Sequence, residues 1–225
     1  PRLPLQENRL AIKRIENEPE THRLQVVPPA LAETMATIWN DETNDPLTIR
    51  VTARLGSQSA MNRAMTLASD SEMPEKTRLQ MLEILQELGD ADTCIDPSLK
   101  LLSDTNSNAI RFAALNLLAR FSDERITRQL LADYPQMDHP IRGRTRDVLL
   151  GRLESARAFL REVDHGEHLP NELTVDQLRR VALHNNAEID SLVRKHWGNI
   201  RAGTPEEKLA EIRRINNDLR AGSGN

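Results

Sequence analysis

Four helix starts with an arginine in the same place recur along this chain. They read NDPLTIRVTARLG, SEMPEKTRLQMLEILQELGD, TNSNAIRFAALNLLARFSD and MDHPIRGRTRDVLLG. Their arginines, Arg50, Arg78, Arg111 and Arg142, are 28, 33 and 31 residues apart. Each start follows Asn, Asp or Ser, whose side chains accept hydrogen bonds from the free N–H groups of a first helical turn. Pro46, Pro74 and Pro140 fall in three of those first turns, where a missing N–H costs nothing. Shorter helical runs, SAMNRAMTLA, DPSLKLL and RITRQLLADY, lie between them. Two helices per unit at a pitch of about 30 residues predict an α-solenoid. One such pair cannot bury its own apolar stripe, but stacked neighbours can.

The stripes are legible. After Asn108, apolar residues fall at Ile110, Ala114, Leu117, Leu118 and Phe121, a single helical face. After Pro74, Met81, Leu82, Leu85 and Leu88 fall the same way. With only two Trp, one Tyr and three Phe, Leu and Ala must carry the core. Such residues favour helices over sheets. The expected class is all-α, an α-α superhelix of HEAT-like or armadillo-type helix pairs. Residues 1–40 read as an N-terminal helical lead-in broken by Pro28-Pro29, and 41–200 as the repeats. Residues 201–225 read as a capped helix and a linker toward a further domain. In that last segment Thr204, Pro205 and Glu207 spell a helix start, and Leu209, Ile212, Ile215 and Leu219 form a stripe. The start at Pro1 without Met and the polar end AGSGN suggest a piece of a longer protein.

An arginine one turn into a helix opposes the helix dipole, so a compensating acid is expected. Asp70, Asp104 and Asp138 precede three of the helices at intervals of 34 residues. They predict a ladder with Arg50, Arg78, Arg111 and Arg142. A second cluster, Arg142, Arg144, Arg146, Arg152, Arg157 and Arg161, faces only Asp147 and Glu154 in sequence. It is a candidate docking patch for an acidic partner or an anion. The ordinary alternative is solvated helix faces with local ion pairs.

Chemistry-bearing motifs are sparse. DHGEH places His165 and His168 three apart beside Asp164 and Glu167, but Gly166 and Pro170 mark a loop, which does not hold the rigid ligand set zinc requires. His184 and His196 could join only through folding. Cys94 is the single cysteine, so no internal disulfide forms, and it reads as a small, partly buried apolar residue at a turn. Trp39 and Trp197 read as cap or core residues. No catalytic, cofactor-binding or metal residue is assigned. The net charge of −4 weighs against a dedicated nucleic-acid binder. No apolar stretch is long enough to span a membrane.

The starts Thr48-Ile49-Arg50, Ala109-Ile110-Arg111 and Pro140-Ile141-Arg142, each with a downstream leucine stripe, resemble HEAT repeats of short pitch. LHNNAEID, VRKHWG and TPEEK, spanning 183–208, resemble the end of the helical-repeat segment in planctomycete-type multidomain proteins. Those are described as membrane-bound dehydrogenases with a C-terminal c-type haem domain. The resemblance implies a haem c domain beyond this segment and a location in the periplasm or cell envelope. It carries no catalytic residue onto this chain. The expected function is a non-catalytic scaffold contacting another protein or neighbouring domains of the same chain. The alternative is a HEAT-like nucleic-acid-binding protein related to DNA glycosylases.

Overall fold

The computed structural model describes residues 28–105 and 107–198. These are all-helical, with eleven α-helices, two 3₁₀ turns and no strand among the described residues. The predicted C-terminal helix from Thr204 lies outside them, as does most of the 1–40 lead-in. The chain divides into two compact units at Val148/Leu149, inside the 41–200 span expected as one run.

The first unit contains α1 (Pro29–Ile38), α2 (Pro46–Arg54), α3 (Gln58–Ser69), α4 (Glu75–Leu88), α5 (Ala91–Asp104), α6 (Asn108–Leu118), α7 (Glu124–Asp133) and most of α8 (His139–Leu150). Short polar side chains set most of their starts, because the first N–H groups of a helix lack partners inside it, although Pro28 stands at the start of α1. Asp45 accepts from Thr48 N–H at 3.1 Å, Asp90 from Thr93 at 2.8 Å, Ser107 from Ile110 at 3.3 Å and Asp138 from Ile141 at 3.1 Å. Helix α4 differs from expectation. Pro74 is itself the N-cap and supplies no side-chain bond.

Helix α2 packs on α3, α3 on α4 and α5 on α6, while α2, α3, α4 and α5 each pack on the next helix but one. Two interleaved rows result, α2–α4–α6 and α3–α5–α7. The core follows the predicted stripes: Met81, Leu82, Leu85 and Leu88 of α4, and Ile110, Ala114, Leu117 and Leu118 of α6, are all buried, while Phe121, expected in the same stripe, lies past the end of α6 and is half-buried. Burying one such leucine contributes roughly 1.5–3 kcal/mol. At the start of the unit, Met35 of α1 packs on Val51 of α2 among Leu31, Leu47 and Leu55.

Helix α5 corrects a sequence reading. It begins at Ala91 rather than near Asp96, because the Asp90 cap recruits DADTC as the first turn and Pro97 is tolerated inside. Cys94 is thus helical and wholly buried rather than partly buried at a turn.

The second unit contains α9 (Leu153–His165), α10 (Val175–Ala182) and α11 (Ala187–Trp197). Both α9 and α10 pack against α11. Gly166 ends α9 with φ +86°, a left-handed conformation a side chain would strain. Glu167 N–H then bonds back to Glu162 O at 2.9 Å and turns the chain.

Candidate functional site

The sequence-predicted arginines occupy equivalent helical positions but meet different partners. Arg50 on α2 reaches Glu83 on α4, Nη2 to Oε2 at 3.0 Å. One turn on, Arg54 reaches Glu87 at 2.7 Å. Arg111 on α6 meets Asp138 at the start of α8, 3.3 Å away, and Arg144 on α8 donates to Asn116 Oδ1 on α6 at 2.9 Å. Glu75 on α4 accepts from the Ser107 hydroxyl that caps α6, at 2.6 Å. A ladder therefore runs along α2–α4–α6–α8. Of the three aspartates proposed for it, Asp138 takes part. Asp70 closes a local turn, accepting from Glu72 N–H at 2.9 Å, and Asp104 lies 3.8 Å from Lys100 one turn earlier. Both sit at helix C-termini, where a carboxylate is held near its own chain.

Arg78 resolves its dipole conflict differently. Its side chain is 8% exposed, and Nε donates to Ala68 O at 2.9 Å, capping the last turn of α3. Arg120 does the same for α4, donating to Leu85 O at 2.8 Å and Gly89 O at 3.3 Å. A guanidinium placed on helix-end carbonyls, buried at Arg78 and exposed at Arg120, satisfies their unpaired oxygens and meets the negative end of the dipole. Arg142 donates its backbone N–H to Asp138 O at 2.9 Å.

In the α2–α4–α6–α8 ladder the carboxylates face outward over the guanidiniums. Glu83 is 69% exposed against 19% for Arg50, and Asp138 44% against 20% for Arg111. This edge is acidic, with the arginine stems laid along the helices. An open groove of about 280 Å³ between α2 and α4 is lined by Asp45, Pro46, Leu47, Arg50, Gln80 and Glu83. The row α3–α5–α7 has its own rungs. Gln58 donates to Thr93 Oγ1 at 2.7 Å, and Arg125 bridges Asp96 and Asp123 at 3.1 and 3.0 Å. The Arg125 guanidinium and N–H hold the Asp123 carboxyl below the usual carboxylate range.

The arginine cluster at 142–161 is not uniformly a surface patch. Arg142, Arg144 and Arg146 belong to the first unit, and Arg152, Arg157 and Arg161 to the second. Arg146 is 5% exposed and donates to the Tyr134 hydroxyl at 2.6 Å. It lies on the inward face of α8, where its long stem reaches that buried phenol. Arg157 meets Glu154 and Glu188, both at 3.0 Å, and Arg161 meets Glu188 at 2.6 Å. The excess positive charge counted along the sequence is thus largely answered by acids 27–31 residues downstream or within one turn.

The DHGEH histidines diverge at the Gly166 turn. His165 ends α9 exposed. His168 folds inward, stacks on Phe159 at 5.2 Å and lies 2.7 Å from Glu162 Oε2. His184 donates from Nε2 to Leu150 O at 2.9 Å. His196 Nε2 lies 2.7 Å from Asp164 Oδ1, which also accepts from Lys195 Nζ at 2.5 Å. The Lys195 bond first, and His196 second, hold the Asp164 carboxyl below its usual range. Among the described residues no group of three or more His, Cys, Asp or Glu is placed to hold a metal ion. Trp39 caps α1 and donates to Asp41 at 2.8 Å, and Trp197 donates to Pro170 O at 2.9 Å. Burial pushes the Cys94 thiol up to about 12. A single buried cysteine offers no pair of thiols for covalent haem attachment, so these residues do not fit a haem c group.

Sequence reasoning missed Arg54, Glu83, Glu87, Arg120 and Glu188, and it named Asp164 only beside the DHGEH histidines. A signal for three of them was present. Arg50 and Arg54 are one turn apart, Glu83 and Glu87 are one turn apart, and the two pairs are offset by one repeat pitch.

No helix among the described residues is long and apolar enough to cross a membrane. Comparison of the chain with protein-family models, curated proteins and solved structures finds no match.

Proposed function

We propose that this chain is a run of HEAT-like, armadillo-type helix pairs in an α-solenoid, acting as a non-catalytic scaffold for another protein or a neighbouring domain of its own polypeptide. The carrying observation is the acid-edged ladder of α2, α4, α6 and α8, with Glu83 and Asp138 outward over Arg50 and Arg111. A stacked helical row offers extended area rather than a pocket. Its charge suits a partner surface carrying Lys and Arg at a pitch matching the rungs. It is poorly suited to a phosphate backbone, which requires a basic face. The HEAT-like starts and the 183–208 motifs supply the proposed setting: a redox protein of the periplasm or cell envelope whose haem c sits in a neighbouring domain.

The test reverses the ladder edge. Glu83→Lys with Asp138→Lys should weaken binding of a separately expressed neighbouring domain by about tenfold at low salt, or about 1.4 kcal/mol. Unchanged affinity removes this face from the reading. Tight DNA binding by the native chain at low salt replaces the scaffold reading with the nucleic-acid one. A pyridine haemochrome spectrum of the intact parent protein tests the redox setting by itself.

A further inference from the structure

The groove between α2 and α4 lies on the acid edge of the first unit, yet it differs from the rest of that edge. At about 280 Å³ it falls below the roughly 300–1,000 Å³ of sites that enclose a free small molecule. It has room for one long side chain of a partner. One wall is α2, with Leu47 and Arg50 one turn apart behind Asp45 and Pro46. The other is α4, with Gln80 and Glu83 one turn apart.

The hydrogen bonding of this groove is unfinished. Asp45 spends a single oxygen, Oδ2, on both bonds of its cap, accepting from the Thr48 N–H at 3.1 Å and the Thr48 hydroxyl at 2.6 Å. Glu83 spends Oε2 alone, on Arg50 at 3.0 Å, and stays 69% exposed. Among the described residues, Asp45 Oδ1, Glu83 Oε1 and the Gln80 amide have no hydrogen-bond partner. The other acids of the ladder are better occupied. Asp138 has both oxygens engaged, by the Ile141 N–H and by Arg111. Glu87 is mostly covered beneath Arg54.

These features select one ligand chemistry. Two carboxylates, Asp45 and Glu83, against the single Arg50 guanidinium leave a surplus of one negative charge, so the incoming group is a cation. Pro46 and Leu47 give an apolar wall along which a methylene stem can lie. Three open acceptors, on Asp45, Glu83 and Gln80, suit a planar head with five N–H donors in a fixed fork better than a compact ammonium. We propose that this groove is a docking pocket for an arginine side chain of the partner. Its guanidinium sits on the Glu83 and Asp45 carboxylates and its stem runs over Leu47. The proposal rests on the scaffold reading of this edge and names the group that the partner presents there.

The probe is acetyl-Gly-Arg-Gly-amide, titrated into the isotope-labelled full chain and followed by NMR beside its lysine and citrulline counterparts. Citrulline keeps the shape of arginine and loses the charge. The expected result is a set of saturable shifts concentrated at residues 45–50 and 80–83. The arginine peptide should bind about tenfold more tightly than the citrulline one, and more tightly than the lysine one. Gln80→Glu gives up no hydrogen bond among the described residues and adds a carboxylate, so it should tighten binding by about threefold. Glu83→Gln keeps an oxygen for Arg50 and should weaken binding by about threefold, with the rest of the spectrum unchanged. Equal binding of the citrulline or lysine peptide overturns the arginine assignment. Shifts spread over exposed acids such as Asp92 and Asp96, or no binding, overturn the site. The two readings fail separately, because the peptide titration needs no partner. A silent groove, with a neighbouring domain still released by the ladder reversal, removes only the seated arginine. A groove that takes the arginine peptide while the domain ignores the reversal removes the scaffold reading of this edge and keeps the site.

Discussion

Arg54 grips Glu87 with two nitrogens, Nη2 at 2.7 Å and Nε at 3.0 Å from the same Oε1, across 33 residues of sequence. Both side chains are mostly buried, at 11% and 22% exposed. This sets the pair apart from the other rungs. A double-mutant cycle of Arg54→Ala and Glu87→Ala should give a coupling of about 1 kcal/mol or more, as for a charge-assisted bond shielded from water. The Lys100–Asp104 pair, 78% and 55% exposed, should give under about 0.5 kcal/mol. Equal couplings from urea titration of the two pairs would mean that burial does not rank these bridges.

Leu118 is fully buried where α6 packs on α4 and α5. Truncation leaves a cavity that the close-packed interior only partly fills. Leu118→Ala should therefore cost about 2–5 kcal/mol. The denaturant midpoint checks this, and an unchanged midpoint would exclude Leu118 from the core.

Gly89 ends α4 with an ordinary φ of −65°, so backbone strain is not what requires glycine there. Space is. A Cβ at this position would collide with Cys94 Sγ and the Leu85 carbonyl. Gly89→Ala should lower stability by about 1–3 kcal/mol, the usual cost of overpacking. Adding Cys94→Ala should recover part of that loss in thermal melts, because the sulfur clash is removed while the carbonyl clash stays.

Cys94 should resist thiol reagents in the native state. With its thiol pushed up to about 12 by burial, the thiolate fraction at pH 8 is on the order of 10⁻⁴. Labelling with a disulfide reagent should be slow natively and fast in urea. Rapid stoichiometric labelling of the native chain would contradict the burial of α5.

Asp164 ties α9 to α11 through Lys195 and His196. Its carboxyl is lowered in the folded state, so its stabilising effect is present above the unfolded carboxylate pKa and is lost as pH falls through the lower folded value. The window is below about pH 4. Asp164→Asn should flatten that part of the acid-unfolding curve and leave the curve near pH 7 parallel to the parent. An identical acid limb in both proteins would remove Asp164 as a contributor.

The local grammar of this fold was readable without coordinates. Asp45, Ser107 and Asp138 announce helices because a short polar side chain reaches an N–H two or three residues away. The leucine stripes of α4 and α6 announce a buried face because a 3.6-residue period needs only the neighbouring turns. Capping also explains the main misreading of an element: Asp90, not Asp96, starts α5, so Cys94 and Pro97 lie inside a helix.

The candidate site was legible only as a pitch. The recurrence near 30 residues suggested a ladder of arginines and aspartates between adjacent units; Arg50 and Arg111 do meet acids 33 and 27 residues away, of which only Asp138 was among the expected aspartates. Which group each one meets was settled by packing. Arg50 takes Glu83 rather than an aspartate because the interhelical crossing brings α4 within reach at that register. Arg78 is buried and caps the Ala68 carbonyl, since a buried guanidinium needs acceptors and helix ends provide them, and the exposed Arg120 reaches back to the end of α4. His168 leaves its DHGEH neighbours because the Gly166 turn drives it onto Phe159, and Arg146 turns inward to Tyr134. Caps, stripes and pitch are properties of a few consecutive residues, and the sequence alone determined them. Partners are chosen by the reach of a side chain across a helix interface, and only the tertiary structure decided those.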